Sequence, residues 1–173
     1  LAPFSTYISF HEHLTDMYKT LSGPERIHWF PIWLWWNYSM ILPTRATELL
    51  LTPRNCLSAE DTEHPLLTVR KTFLKHGRKQ VTYTIGGDYE RCSFPIPKAM
   101  ANEIRWYMDA TAGYRQSEVD TLFVPEGRAR YFNYTRMRSL LTEGLVKFGL
   151  NNIRLGDTRH LAMISLALAG NAP

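Results

Sequence analysis

Three short stretches hold the residues best suited to chemistry. Leu155-Gly156-Asp157-Thr158-Arg159-His160 opens a final apolar run that ends at Gly170. Asp157 or Thr158 can cap a helix there, leaving backbone N–H groups exposed at a positive dipole end. Arg159, in that first turn, is then placed to hold a phosphate. Far upstream, Thr44 can cap a helix over 45–51, with Arg45 and Glu48 three apart on one face. Glu48 is embedded in apolar sequence, so it reads either as half of a weak surface ion pair or as a partly buried carboxylate that orients Arg45. Between these stretches lies a basic turn, Lys75-His76-Gly77-Arg78-Lys79. Two arginines and a lysine brought to one point would clamp a phosphoryl centre. Guanidinium forks match two phosphate oxygens and stay charged, while lysine can give a proton to a leaving oxygen.

Other chemistries lack their residues. No phosphate-cradling Walker loop, dinucleotide fingerprint, His-Glu-x-x-His helix or Gly-x-Ser-x-Gly elbow occurs in the sequence. His11 and His13 are two apart, point to different faces of a helix and make a poor metal pair, so both are expected at the surface. No metal and no cofactor are expected. Cys56 and Cys92 lie far apart, without metal-type spacing and unlike a secreted disulfide framework, which favours a reducing cytosol.

The elements that must position these residues follow from periodicity. A first helix is expected over 5–22, with Phe10, Leu14, Met17 and Leu21 on one face and Ser22-Gly23-Pro24 ending it. A second, apolar nearly all round and therefore buried, is expected after Pro31 through Trp33, Trp36 and Met40, with Pro43 near its end. The charge-free stretch 29–43 is too short for a membrane span, which needs about 18 apolar residues. Beyond a polar loop at 58–64 the texture becomes extended. Strands are expected over 66–73, 81–85 and 92–96, with the basic turn between the first two. Helices are then expected over 98–110, through Met100, Ile104 and Tyr107, and over 135–148, with a short extended piece at 122–125 between them. Arg136 and Arg138 fall in the first turn of the helix over 135–148, which Gly149 ends. In the last helix Leu161, Ile164 and Leu168 share a face that anchors the Arg159 turn. The fold class is α+β, mostly helical, with a small antiparallel sheet inserted between helices.

The totals allow this reading without demanding it. The 173 residues suffice for one domain with a sizeable core. Hydrophobic residues are 45% and charged ones 21%, an ordinary globular mixture. A net charge of +4 and a pI near 9.1 permit an anionic partner. The chain starts at Leu1 rather than Met, so it is expected to be cut from something longer, and no signal peptide is visible at that end.

The boxes resemble those of the tyrosine site-specific recombinases, the phage-integrase family. Ile41-Leu42-Pro43-Thr44-Arg45-Ala46-Thr47-Glu48-Leu49-Leu50 is similar to the family's first box, Arg-x-x-Glu-Leu. Leu74-Lys75-His76-Gly77-Arg78-Lys79 resembles the hairpin that carries the family's lysine, and Gly156-Asp157-Thr158-Arg159-His160 resembles the second box, His-x-x-Arg-His. The likeness runs in order from about residue 30 onward.

The resemblance implies a catalytic domain spanning 1–173, without the family's N-terminal DNA-binding domain and C-terminal nucleophile segment. It implies DNA integration and recombination by strand cleavage and rejoining through a 3′-phosphotyrosine, on double-stranded DNA, as a homo-tetramer when full length. It implies the cytoplasm with nucleoid association, a mobile genetic element, and no membrane. Arg45 and Arg159 would bind the scissile phosphate, and Lys75 would be the general acid, with Lys71 and Lys79 as rivals. Glu48, Asp157 and His160 would support. Lys71, Arg78, Lys79, Arg136 and Arg138 would contact DNA. Gly156 stands where the family has histidine, and Pro173 precedes the family's later His/Trp and its nucleophilic tyrosine. The alternatives are a non-catalytic DNA-binding relative and an unrelated basic α+β protein.

Overall fold

The computed structural model describes residues 2–58, 63–72 and 89–170. Its elements, in order, are α1 (Phe4–Tyr18), α2 (Gly23–Ile41), α3 (Ala46–Leu50), β1 (Leu66–Thr72), β2 (Tyr89–Pro95), α4 (Lys98–Ala110), α5 (Tyr134–Phe148) and α6 (Thr158–Gly170). The chain is thus mostly helical with a small antiparallel sheet, as expected. It forms two compact units, one from residues 1–46 and 133–173, the other from 47–132. The sheet-bearing unit is inserted in sequence between the two halves of the helical one.

In the helical unit, α1 buries Tyr7, Phe10, Leu14 and Tyr18. Phe10 and Leu14 lie on the expected face, but Tyr7 and Tyr18 complete it in place of Met17, which is half-buried, and Leu21, which lies beyond the helix end. Ser22-Gly23-Pro24 does not close α1 but starts α2: Ser22 is the extended N-cap, and Gly23 and Pro24 fill the first positions. Proline's fixed φ and missing N–H suit a first helical turn. α2 likewise does not wait for Pro31. It runs straight through, with Pro31 buried in its middle. A proline there removes one helical hydrogen bond. Burial on every side holds the helix regardless: Phe30, Ile32, Leu34, Trp35 and Trp36 are all fully inaccessible.

Aromatic contacts tie α1, α2 and α5 together. Phe10 meets Trp36 at 4.6 Å and Phe148 edge-on at 5.5 Å. Gly144 of α5 lies against these rings, where a Cβ would make ordinary contacts, 3.4 Å to Trp29 Cζ3 and 3.7 Å to Phe10 Cε2. His11 is not a surface residue as expected. It is half-buried, and its Nδ1 accepts from Trp36 Nε1 at 2.9 Å. His13 is exposed and stacks on Phe148 at 5.3 Å. α6 packs on α2 and α1, with Leu161 and Ile164 fully buried.

In the second unit β1 and β2 pair antiparallel, Leu66 opposite Pro95 and Thr72 opposite Tyr89. The second strand begins at Tyr89, earlier than the expected Cys92, because its partner β1 continues to Thr72. The expected strand 81–85 and the basic turn lie outside the described residues. Backbone bonds lay 56–58 along β1 (Thr68 N to Cys56 O, 2.7 Å) and 121–122 along 52–53 (Leu122 N to Thr52 O, 2.8 Å).

Two arginines act as interior clamps here. Arg54 donates from Nη1 to Leu122 O, and from Nη2 to Met108 O and Thr111 Oγ1, each at 2.9 Å. Buried Arg70 donates to Leu51 O at 2.8 Å. Burial lowers both side chains' affinity for their proton, Arg91 adding to the effect at Arg70. Cys56 and Cys92 are both free thiols.

Candidate nucleic-acid interface

The Arg159 turn is built from its carboxylate outward. The Asp157 carbonyl accepts from His160 N at 2.9 Å and Leu161 N at 3.3 Å, so Asp157 opens α6 through its backbone. Its side chain is buried and turns to other partners. Oδ2 accepts from Tyr7 Oη at 2.8 Å and from Arg154 N at 3.0 Å. One carboxylate oxygen therefore pins the residues before the helix and fastens them to α1. The His160 ring lies 6.0 Å from that of Tyr7, half-buried.

Tyr7 is only 2% exposed, and burial, then the Asp157 carboxylate, push its phenol up to about 12. A phenol so held is a hydrogen-bond donor at neutral pH, not a nucleophile. Nothing in the sequence signals Tyr7, whose partner is 150 residues away. Arg159 occupies the second position of α6; its side chain lies outside the described residues.

Arg45 is exposed in the segment between α2 and α3 and belongs, like Arg159, to the helical unit. Glu48 is buried in α3 and has an ion-pair partner that the sequence does not predict: Lys71 Nζ of β1 lies 3.7 Å from Glu48 Oε1. The same ammonium sits 5.9 Å from the ring of Phe94, which is on β2 opposite Leu67 and on the same face of the sheet as Lys71. Alternation puts Lys71 on the face of Val69 and Leu67, both buried. Cys92 shares this neighbourhood; burial, then Glu90, pushes its thiol up. Lys75, Arg78 and Lys79 lie outside the described residues.

The two arginines expected at the start of α5 have different surroundings. Asn133 caps the helix, its Oδ1 accepting from Arg136 N at 3.0 Å. Arg136 is half-buried, with Nη2 3.5 Å from His28 Nδ1, while His28 Nε2 lies 3.0 Å from Glu143. Arg138, two residues on, is exposed. It lines a cavity of about 400 Å³ with Tyr134, Leu141, Thr142, Ile153, Arg154 and Leu155. Arg154 is a cation that sequence reasoning missed, although a basic residue five before Arg159 was a visible signal.

Among the described residues, no three or more His, Cys, Asp or Glu side chains come together as a metal site, and no helix is long and apolar enough to cross a membrane. Comparison with protein-family models, with curated proteins and with solved structures finds no match for this chain.

Proposed function

We propose that the chain binds double-stranded DNA as the catalytic-domain portion of a tyrosine-recombinase-type integrase. In this reading Arg45 and Arg159 hold the scissile phosphate and stabilise its transition state. A lysine of the sheet region, Lys75 or its rivals Lys71 and Lys79, protonates the leaving 5′ hydroxyl. Cleavage and rejoining through a phosphotyrosine conserve the bond energy, so the reaction needs no nucleotide cofactor. The nucleophile would come from a segment beyond Pro173, and the full-length protein would act as a tetramer on DNA in the cytoplasm.

The observation that carries the proposal is the order of the boxes on the observed elements. Arg45 follows α2, Arg159 stands in the first turn of α6, and α6 packs on α2; the lysine-bearing sheet falls between them in sequence. The test is duplex-DNA affinity across a salt series. Phosphate contacts predict a linear fall of log affinity with log salt, losing several orders between about 50 and 200 mM if six or more phosphates are held. Arg159→Gln and Arg45→Gln should each weaken binding, and covalent trapping on nicked DNA with the gene product read past Pro173 tests cleavage. Affinity flat in salt, or unchanged in both variants, would refute the proposal.

A second reading is favoured by Gly156: a DNA-binding relative that performs no strand cleavage. Intact binding without a covalent adduct would decide for it.

A further inference from the structure

The cavity between α5 and the connection 150–157 has no part in the three boxes, yet its chemistry is that of a ligand site. Its floor is apolar: Leu141, Ile153 and Leu155 are nearly inaccessible. Its rim is cationic, with Arg138 rising from α5 and Arg154 from the connection, both exposed. No carboxylate lines it, and among the described residues neither guanidinium is matched to an acidic side chain. Thr142 gives its hydroxyl proton to the Arg138 carbonyl at 3.0 Å, so anion recognition falls to the guanidiniums. Tyr134, partly exposed, adds an aromatic ring at the mouth.

The floor is held by the same network that builds the Arg159 turn. Arg154 N donates to Asp157 Oδ2, which also accepts from Tyr7. Asn152, with φ at 68°, turns the chain so that Ile153 points inward and Arg154 outward. Two exposed cations on separate segments beside an apolar floor match an anion that carries a ring rather than a bare ion. Guanidinium forks favour phosphate oxygens. An aromatic at the mouth suits a sugar or base.

We propose that this cavity seats one nucleotide unit of DNA, its phosphate between Arg138 and Arg154 and its ring against Leu141, Ile153 and Leu155. For the source of the nucleotide this rests on the DNA-binding reading above. The site itself can be tested without it.

The experiment titrates the whole chain with thymidine monophosphate, with inorganic phosphate and with a short DNA duplex. Methyl NMR signals of Leu141, Ile153 and Leu155 report the floor in the unaltered protein. The variants are Arg138→Gln and Arg154→Gln, with Lys147→Gln as an exposed control on α5 outside the cavity. The mononucleotide should shift the floor methyls and bind more tightly than inorganic phosphate. Each arginine variant should weaken both mononucleotide and duplex by roughly tenfold to a hundredfold, the usual effect of losing a charge-assisted contact. Lys147→Gln should change mononucleotide affinity by less than about twofold and duplex affinity by less than the arginine variants do.

Unmoved floor methyls, equal affinity for phosphate and mononucleotide, or arginine variants no worse than Lys147→Gln would overturn the proposal. If the mononucleotide binds here and no duplex does, the site stands as a nucleotide site and the DNA-binding reading fails. If duplex binding is strong but indifferent to Arg138 and Arg154, the reverse holds.

Discussion

Replacing Tyr7 by phenylalanine tests the network on which the Arg159 turn depends. The change keeps the ring packed and deletes one hydroxyl, whose 2.8 Å bond to Asp157 Oδ2 lies in a buried setting. Hydrogen bonds to a charged group contribute about 1.5–3 kcal/mol. The upper half of that range applies here, because Asp157 is only 8% exposed and water cannot readily replace the donor. A loss of about 2–3 kcal/mol corresponds to roughly 4–12 °C in melting temperature for a chain of this size. The effect has a pH signature. The folded phenol titrates near 12 against 10.0 for the unperturbed group, so the neutral form is favoured in the fold. The resulting stability is complete below pH 10 and disappears as pH rises through 12. Urea unfolding at pH 7 and at intervals above pH 9 measures both features. Tyr7→Phe should be less stable at pH 7, and its difference from the unaltered protein should shrink in the alkaline range. Stability within about 0.5 kcal/mol at pH 7 with the same alkaline slope would refute the assignment of Tyr7 as the clamp of Asp157.

Further outcomes follow from the same structure. Arg54→Lys should cost about 2–4 kcal/mol in urea unfolding, since an ammonium cannot reach the Leu122, Met108 and Thr111 acceptors together. Burial lowers the pKa of His11, so its contribution is present above pH 6.5 and lost as pH falls below it. Melting temperature should therefore drop between pH 7 and 5 by more in the unaltered protein than in His11→Gln. Gly149 ends α5 with φ at 68°, where an added Cβ strains the backbone, so Gly149→Ala should cost about 1 kcal/mol by the same unfolding measurement.

The parts of the fold legible in the sequence are those where periodicity and end signals act locally. α4 lies where expected because Met100, Ile104 and Tyr107 repeat at helical spacing between Pro97 and a polar loop. α5 ends where Gly149 stops it. α2 defeated the same logic: proline is a local signal, and the burial that overrides it at Pro31 comes from helices distant in sequence. Arg70 was illegible for a related reason. Val69 and Arg70 are neighbours in β1 and both buried, so alternation marks only one of them as interior. The candidate site divides along the same line. Arg45, Glu48, Asp157 and Arg159 could be named from their order, whereas Tyr7, Lys71 on Glu48 and the Arg138–Arg154 cavity arise from contacts that no local pattern encodes.

Gly156 is where these two kinds of information meet. A glycine in a tight turn before a helix ordinarily reflects the backbone, through a left-handed φ or a close neighbour. Neither applies here. Gly156 is not among the positive-φ glycines, and a Cβ built on it meets no described atom within 4 Å. The turn is fixed instead by Asp157, through Tyr7 and Arg154 N, and would hold with a side chain at 156. The described fold therefore does not require a glycine at 156. On the recombinase reading that position faces the reaction, so a glycine there weakens proton handling while leaving phosphate binding by Arg159 untouched. On that reading binding and cleavage would be separable, and the DNA-binding measurements test the first without the second.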